Sequence, residues 1–452
     1  MKTFQRKVTY RLYPNAAQEA ALMETLCLHC RVYNTLLEEN QTRFEAGEGF
    51  FGFKEMCRAL TDWRGRTESL SGLNAQSLQV TAKRVCLAFA AFFRRVKAGD
   101  TPGYPRFKSS ARYPGWGFKT YGDGWKLFPA VKTLKDGSEI HQHGKVRLSG
   151  IGDIPMRGKG RFKGTPVTAE VLFKAGQWFL SVTFTVEAKA LARPTTMKAA
   201  SFDWGLKTLL TIFTSDGELH EVENPRWLKH KLEAIQALQR TISEKERQAK
   251  ERAGLDPDQP LEKGQRFPIT KALKRLYRQL GNIHSKISRQ RKDFYHKLAN
   301  RLVQEFWFLG TEALAVKEMV SKAKAKEKKT AAKPGEGIRL SAKAETGTRR
   351  AIHDGAPSML LGILKAKAEE AGSLIALAKP RKLKPTQRCH HCGKLVKKDL
   401  TERTHRCPSC GCACGRDENA AKTLYRWMFE GDFWSGTVAM GVLPPETHSI
   451  PA

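Results

Sequence analysis

Apolar and polar positions alternate over residues 4–13, where Phe4, Val8, Tyr10 and Leu12 are separated by Arg6, Lys7 and Arg11, and Pro14 and Asn15 end the run. A period of two predicts a strand. Helical spacing takes over at roughly 16–46, 52–60 and 74–98, the last carrying Leu78, Val85, Leu87, Ala90 and Phe93 beside Lys83, Arg84, Arg94, Arg95 and Lys97. Gly99 and Gly103 break this pattern, and a region rich in glycine, aromatic and β-branched residues runs on to about 187. Within it, 145–148, 168–171 and 178–186 read as strands. Short strands interleaved with Lys and Arg suit a small β-barrel that follows a nucleic-acid backbone. The strand at 4–13 is expected to join it, which makes the helical block an insertion.

The pattern changes after a linker at 188–196. Residues 198–203 form a short apolar strand ending in Asp203, Trp204 and Gly205 turn the chain, 209–213 is a second strand, and Ser215, Asp216 and Gly217 lead into a third at 218–222. A meander with a carboxylate at the end of its first strand is how an RNase H-like fold begins, although an Asp before a turn is also an ordinary turn residue. Two long helices follow, one lined by Leu228, Leu232, Ile235, Leu238 and Ile242, the other by Ile269, Leu273, Leu276, Leu280, Ile283 and Ile287. Residues 306–312 then read as a strand ending in Glu312. The lysine- and glycine-rich stretch 317–350 reads as a mobile loop, either a lid over a nucleic-acid strand or a solvated linker. Helix 358–371 and strand 374–378 return the chain to the sheet.

Composition adds a partner class. Lys and Arg number 79 against 45 Asp and Glu, a formal charge of +34, and a long polyanion is the simplest reason for such an excess. Of 10 cysteines, six fall between 389 and 414, which is metal-binding usage in a reducing compartment and not a disulfide framework. The first residues lack the apolar stretch of a signal peptide and no run of about 18 apolar residues occurs, so a soluble, cytoplasmic protein without a membrane partner is expected.

Cys389 and Cys392, then Cys407 and Cys410, have the spacing of a structural zinc site closed by four thiolates. Cys412 and Cys414 offer a competing register, and His390, His391 or His405 a competing ligand. The symmetric pairs are preferred because Gly393 and Gly411 follow them and permit tight turns. Behind the knuckle, Asp417 heads a helix expected from Asn419 to Met428, where the helix dipole favours an acid. Asp203, Glu312 and Asp417 therefore stand at the ends of elements that one sheet edge can gather. Carboxylates so gathered can hold two Mg²⁺ ions, hard cations that prefer oxygen.

Taken together, these residues resemble the TnpB-like proteins of bacterial transposons, relatives of the type V CRISPR effectors. The likeness rests on Arg31-Val32-Tyr33-Asn34, on Asn74 to Gln79 with Phe92-Phe93-Arg94, and on Gly103 to Lys108. In the second half it rests on Asp203-Trp204-Gly205, on Glu312, on 381–392, and above all on Cys407-Pro408-Ser409-Cys410 leading to Arg416-Asp417-Glu418-Asn419.

The resemblance implies a multidomain α/β protein: a wedge-like β-barrel (1–15 and 100–190) with a helical recognition insert (16–99), then a RuvC-like nuclease domain. That domain would run over 191–385, with a helical insert at 225–300 and the lid at 317–350, be interrupted by a zinc knuckle at 386–414, resume at 415–440, and leave a tail at 441–452. It further implies an RNA-guided DNA endonuclease that pairs a guide RNA from its own locus with double-stranded DNA beside a short motif. Asp203, Glu312 and Asp417 would be its catalytic, Mg²⁺-binding carboxylates and Cys389, Cys392, Cys407 and Cys410 its Zn²⁺ ligands.

Asn74, Gln76 and Gln79 fall in the helix expected near the motif duplex, and are otherwise surface amides. Arg84, Arg106, Lys108, Arg289 and Arg291 are the basic side chains expected at nucleic-acid backbone, the last two being equally readable as a solvated helix face. Four features depart from the family pattern: Ala313 after Glu312, bulky Trp204 after Asp203, the extra Cys412 and Cys414, and Lys384-Pro385-Thr386-Gln387 before the first pair. They keep two alternatives in view, a guided DNA-binding protein with weak or absent cleavage and an RNase H-like transposase.

Overall fold

Alternation along the first strand is realised in the fold: β1 (Thr3–Leu12) buries Tyr10 and Leu12 and exposes Thr9 and Arg11. The computed structural model describes residues 3–159, 164–187, 196–262, 265–320, 347–398 and 402–431, and the chain divides into two units, Met1–Ala190 and Leu191–Ala452. The lysine-rich stretch expected to form a lid falls largely on 321–346, outside the described residues, as do most of the linker at 188–196 and the whole tail.

In the first unit, helices α1 (Ala16–Glu45), α2 (Phe53–Arg66), α3 (Glu68–Ser71) and α4 (Ala75–Lys97) follow β1. Asn15 starts α1 through a capping box, its Oδ1 accepting from Gln18 N–H at 2.8 Å while Gln18 Oε1 accepts from Asn15 N–H at 3.1 Å. Leu22, Leu26, Tyr33 and Leu37 then recur on the buried face. The strands β2 (Gly115–Phe118), β3 (Trp125–Thr133), β4 (Glu139–Leu148), β5 (Gly152–Lys159), β6 (Thr165–Lys174) and β7 (Gln177–Glu187) complete one antiparallel sheet in the order β2-β6-β7-β1-β5-β4-β3.

β1 lies between β7 and β5, so the helices interrupt a sheet that continues after them. The sheet is open: among the described residues no ladder joins β2 to β3, and β2 is only four residues long, so the closed barrel is not seen. Its core is aromatic, with Trp116, Trp125, Trp178 and Phe184 buried.

The second unit holds β8 (Ala199–Trp204), β9 (Thr208–Thr214), β10 (Leu219–Glu223), α5 (Leu232–Arg252), α6 (Lys271–Glu305), β11 (Phe308–Glu312), α7 (Val316–Val320), α8 (Pro357–Ala371), β12 (Leu374–Ala378) and α9 (Pro380–Leu383). The hairpin β13 (Thr404–Arg406) and β14 (Ala413–Gly415) precedes α10 (Arg416–Glu430). Five strands form a sheet in the order β10-β9-β8-β11-β12, in which β8, β11 and β12 are parallel and β9 is antiparallel to its neighbours.

One face of this sheet packs on α6 and α8, through Ala200, Phe202, Leu298, Leu302, Leu360 and Leu364. The other takes α10. Ser201 Oγ donates to Ala421 O at 2.6 Å, Phe213 meets Tyr425 edge-on at 5.2 Å, and Phe308 meets Phe429 at 5.7 Å. Close approach needs Gly310, where a β-carbon would sit 2.5 Å from Met428 Cγ and nearer still to its Sδ.

Gly310→Ala should therefore lower stability by roughly 1–3 kcal/mol through overpacking, read from the denaturant midpoint. Met428→Leu, which conserves volume, should cost under about 1.5 kcal/mol.

Candidate active site and metal knuckle

Side chains on a strand alternate faces, so Ser201 and Asp203 share the α10 side of β8 while Ala200 and Phe202 face the helices behind. The same rule places Phe308, Gly310 and Glu312 on the α10 side of β11. β8 and β11 are in parallel register at Ser201 and Gly310, which brings both acids to the same end of the sheet. Ala421 sits on Ser201, and Asp417 lies one helical turn before Ala421, so the first turn of α10 delivers the third carboxylate to that end.

The electrostatics agree. Asp203 is 5 % exposed, and burial, then the Glu312 and Asp417 carboxylates, lift its pKa well above the carboxylate range against the pull of the Trp204 N–H and Arg416. Burial raises Glu312 to about 7. Asp417 is the more open acid, with Arg416 Nε at 3.3 Å and an Arg403 nitrogen at 4.0 Å. The three carboxylates do not bring one oxygen each within 4.8 Å of the others, as the knuckle thiols do with their sulfurs.

In the knuckle the sulfurs of Cys389, Cys392, Cys407 and Cys410 all lie within 4.8 Å of one another. Cys389 and Cys410 are 3.7 Å apart and Cys392 and Cys407 3.5 Å, too far for disulfides and close to the edge of roughly 3.8 Å that a tetrahedron with Zn–S bonds of about 2.3 Å requires. Each pair closes a tight turn, Gly393 N–H donating to Cys389 O and Gly411 N–H to Cys407 O, both at 2.9 Å. Both glycines have left-handed φ, 75° and 74°. Burial pushes the Cys407 thiol up, but the Ser409 and Cys410 amides and the Cys392 and Cys410 thiols together lower its pKa, while Cys410 is raised in exchange. This donor set can hold a metal ion.

Sequence reading missed the bolt between knuckle and helix. Asn419 on α10 is fully buried, donates to Arg388 O at 2.7 Å and Pro385 O at 3.1 Å, and accepts from His390 N–H at 3.1 Å. Thr423 Oγ1 adds a bond to Arg388 O, and Arg426 donates to His390 O at 2.9 Å and His391 O at 2.5 Å. The available signal was an Asn inside a helix beside Ala420 and Ala421, a position where it is unfavourable unless its amide is used.

The expected nucleic-acid contacts are placed unevenly. Asn74 caps α4, accepting from Ser77 N–H at 2.9 Å and donating to Asp123 at 2.7 Å. Gln76 and Gln79 are half-buried on the same helix. Arg84 points inward, donating to Gly115 O and to Glu170 at 3.0 Å. Lys108 is half-buried with Nζ 4.4 Å from the Tyr33 ring centre, whereas Arg106 is exposed. Arg289 is exposed, but Arg291 is an interior partner of Asp354 at 3.3 Å, and Asp354 also accepts from Leu228 and Lys229 N–H. The helix face that reads as solvated is, at Arg291, packed against Trp227.

Strand order, the antiparallel second strand and acids at the end of the first and fourth strands describe an α/β unit carrying a four-cysteine cluster. Three family models match the chain: a helix-turn-helix domain (residues 1–49), the OrfB_IS605 family described as "Probable transposase" (181–323), and the Cas12f1-like TNB domain (358–424). A protein of Streptomyces pristinaespiralis named "Putative RNA-guided DNA endonuclease" is 25% identical, over 94% of this chain and 89% of that one. "Putative RNA-guided DNA endonuclease InsQ" of Escherichia coli K12 is 24% identical, over 92% and 90%. Among solved structures, Cas12f1 in a complex with sgRNA and target DNA shares the fold at TM-score 0.51 and 13% identity, over 93% of this chain and 98% of that one. Together these matches support a TnpB-like family for the chain. Among the described residues no helix is long and apolar enough to cross a membrane.

Asn419→Ala should strand buried partners and cost roughly 1–3 kcal/mol, with faster loss of knuckle metal to a chelator; His391→Ala, at an exposed neighbour, should change neither.

Because Glu312 keeps its proton to about 7 when folded but ionises near 4.5 when unfolded, the metal-free protein should lose stability as pH rises between those values. Glu312→Gln should raise the Tm of metal-free protein at pH 8 by an amount equivalent to roughly 1–3 kcal/mol, and leave it unchanged at pH 4.

Proposed function

We propose that this chain is an RNA-guided DNA endonuclease, with Asp203, Glu312 and Asp417 as its catalytic carboxylates. The observation that carries the reading is the convergence of these acids, from two strands and a helix distant in sequence, on one end of one sheet face. Buried acids with raised pKa values are groups short of positive charge, and a bound cation is what relieves them. Mg²⁺, as two ions, would be held by the three carboxylates and supply an ionised water and charge stabilisation at the phosphate and leaving oxygen. Asp203, the most buried, is suited to a ligand shared on the inner side; Asp417, beside Arg416 and Arg403, faces the side open to a strand. Zn²⁺ fits the knuckle thiols, where four protein ligands leave no position for substrate, so its role is to brace.

Guide RNA and double-stranded target DNA are the partners of this reading. Pairing carries sequence specificity, while the protein reads a short adjacent motif and holds backbone with its positive charge. Residues 1–15 with 100–190 serve as the wedge and 16–99 as the recognition insert, in which Gln76, Gln79 and Arg106 are the candidates for duplex contact. Asn74, Arg84 and Lys108 position that surface. Arg289 is the backbone candidate on α6.

The test is to purify the protein with its own locus expressed, sequence the RNA that accompanies it, and challenge the complex with targets bearing randomised flanks. Flank-dependent cutting should require Mg²⁺. Asp203→Ala, Glu312→Ala and Asp417→Ala should each lower its rate roughly a hundred-fold or more while target binding persists. Absence of both bound RNA and guided cutting sinks the proposal, and joining of DNA ends without RNA assigns a transposase.

A further inference from the structure

We propose that His390, Cys412 and Cys414 form a second metal site, separate from the four-cysteine knuckle, that takes a borderline-soft divalent cation of the zinc class. Each residue offers one ligand atom, and the three atoms lie within 4.8 Å of one another. Cys412 Sγ is 3.9 Å from His390 Nδ1 and 4.0 Å from Nε2, and Cys414 Sγ is 3.9 Å from Nδ1. A tetrahedral ion with Zn–N of about 2.0 Å and Zn–S of about 2.3 Å needs an N to S edge of roughly 3.5 Å.

Three features separate this group from chance packing. Cys412 and Cys414 stand two apart on an extended segment, so both sulfurs project to one side, and β14 is held there by pairing of Cys414 with His405. His390 sits between Cys389 and Cys392, whose sulfurs are committed to the knuckle quartet, so the first turn presents ligands to two sides. Asn419 Oδ1 lies 3.1 Å from His390 Nδ1; in the tautomer that donates there, Nε2, 4.0 Å from Cys412 Sγ, keeps its lone pair for a metal. That is the tautomer-fixing contact metal-binding histidines usually have. All three residues are partly exposed, which gives an ion a way in, and water completes the shell.

Position gives the site its consequence. Cys414 directly precedes Gly415, the N-cap of α10, and Asp417 is three residues on. An ion here would staple the start of α10 to the first knuckle turn, as Asn419 does by hydrogen bonds one turn later.

The experiment uses the full chain with its co-purified RNA, reduced and loaded with excess Zn²⁺, then freed of loose metal. Wild type should hold about two zinc ions per chain, and Cys412→Ser/Cys414→Ser about one. Titration of Co²⁺ into metal-free wild type should give two phases of thiolate-to-cobalt absorption, and the double variant one. Should the variant not fold, differential alkylation of wild type decides. Cys412 and Cys414 should be protected by zinc and become reactive under mild chelation that leaves the other four protected. One zinc per chain with Cys412 and Cys414 equally reactive with and without metal, or a Cys412 to Cys414 disulfide in the zinc-loaded protein, would overturn the proposal. None of these readouts depends on DNA cleavage.

Discussion

Asp203, Glu312 and Asp417 repel one another at the end of one sheet face, and the second unit is arranged so that the repulsion does not drive them apart. Parallel pairing of β8 with β11 fixes two of the acids by main-chain hydrogen bonds that no side-chain charge can easily break. The third arrives on a helix, which side-chain packing alone would hold less firmly. Its seat is therefore made close, by the absence of a side chain at Gly310 and by the Ser201 hydroxyl bonded to Ala421 O. Behind the strands, the apolar layer on α6 and α8 excludes water, and the same burial that steadies the sheet raises the pKa of Asp203 and Glu312.

The knuckle works on the other side of α10. Its four sulfurs close two turns remote in sequence, and Asn419, Thr423 and Arg426 carry the resulting rigidity onto successive turns of the helix. The helix that holds Asp417 is thus clamped between sheet and knuckle. The position of this small cysteine segment between β12 and α10 is what allows that clamp.

Much of this was legible in the sequence where local pattern and final environment agree. The apolar runs at β8, β11 and β12, bounded by turn residues, gave strands and placed Asp203 and Glu312 at their ends. Cysteine spacing gave the quartet. The start of α10 was read three residues late, because the polar run Arg416-Asp417-Glu418 carries no helical periodicity of its own. Strands β2, β3 and β5 were hidden for a related reason: β5 contains Gly, Pro and Arg, and among its residues with described burial Ile154 and Met156 alone are deeply buried. Arg84 and Arg291 resisted reading because an arginine's role depends on whether an acid waits nearby. Their partners, Glu170 and Asp354, lie 86 and 63 residues away.

Where the last acid sits in the chain also fixes when the site can exist. Synthesis and folding proceed from the N-terminus. The first unit is complete by residue 190, and the strands bearing Asp203 and Glu312 are both made before the knuckle begins. Asp417 reaches them only once the cysteine turns have been made and α10 can lie down on Ser201 and Gly310. A nascent chain therefore carries the sheet without its acidic trio, which is assembled only after the cysteine turns behind it.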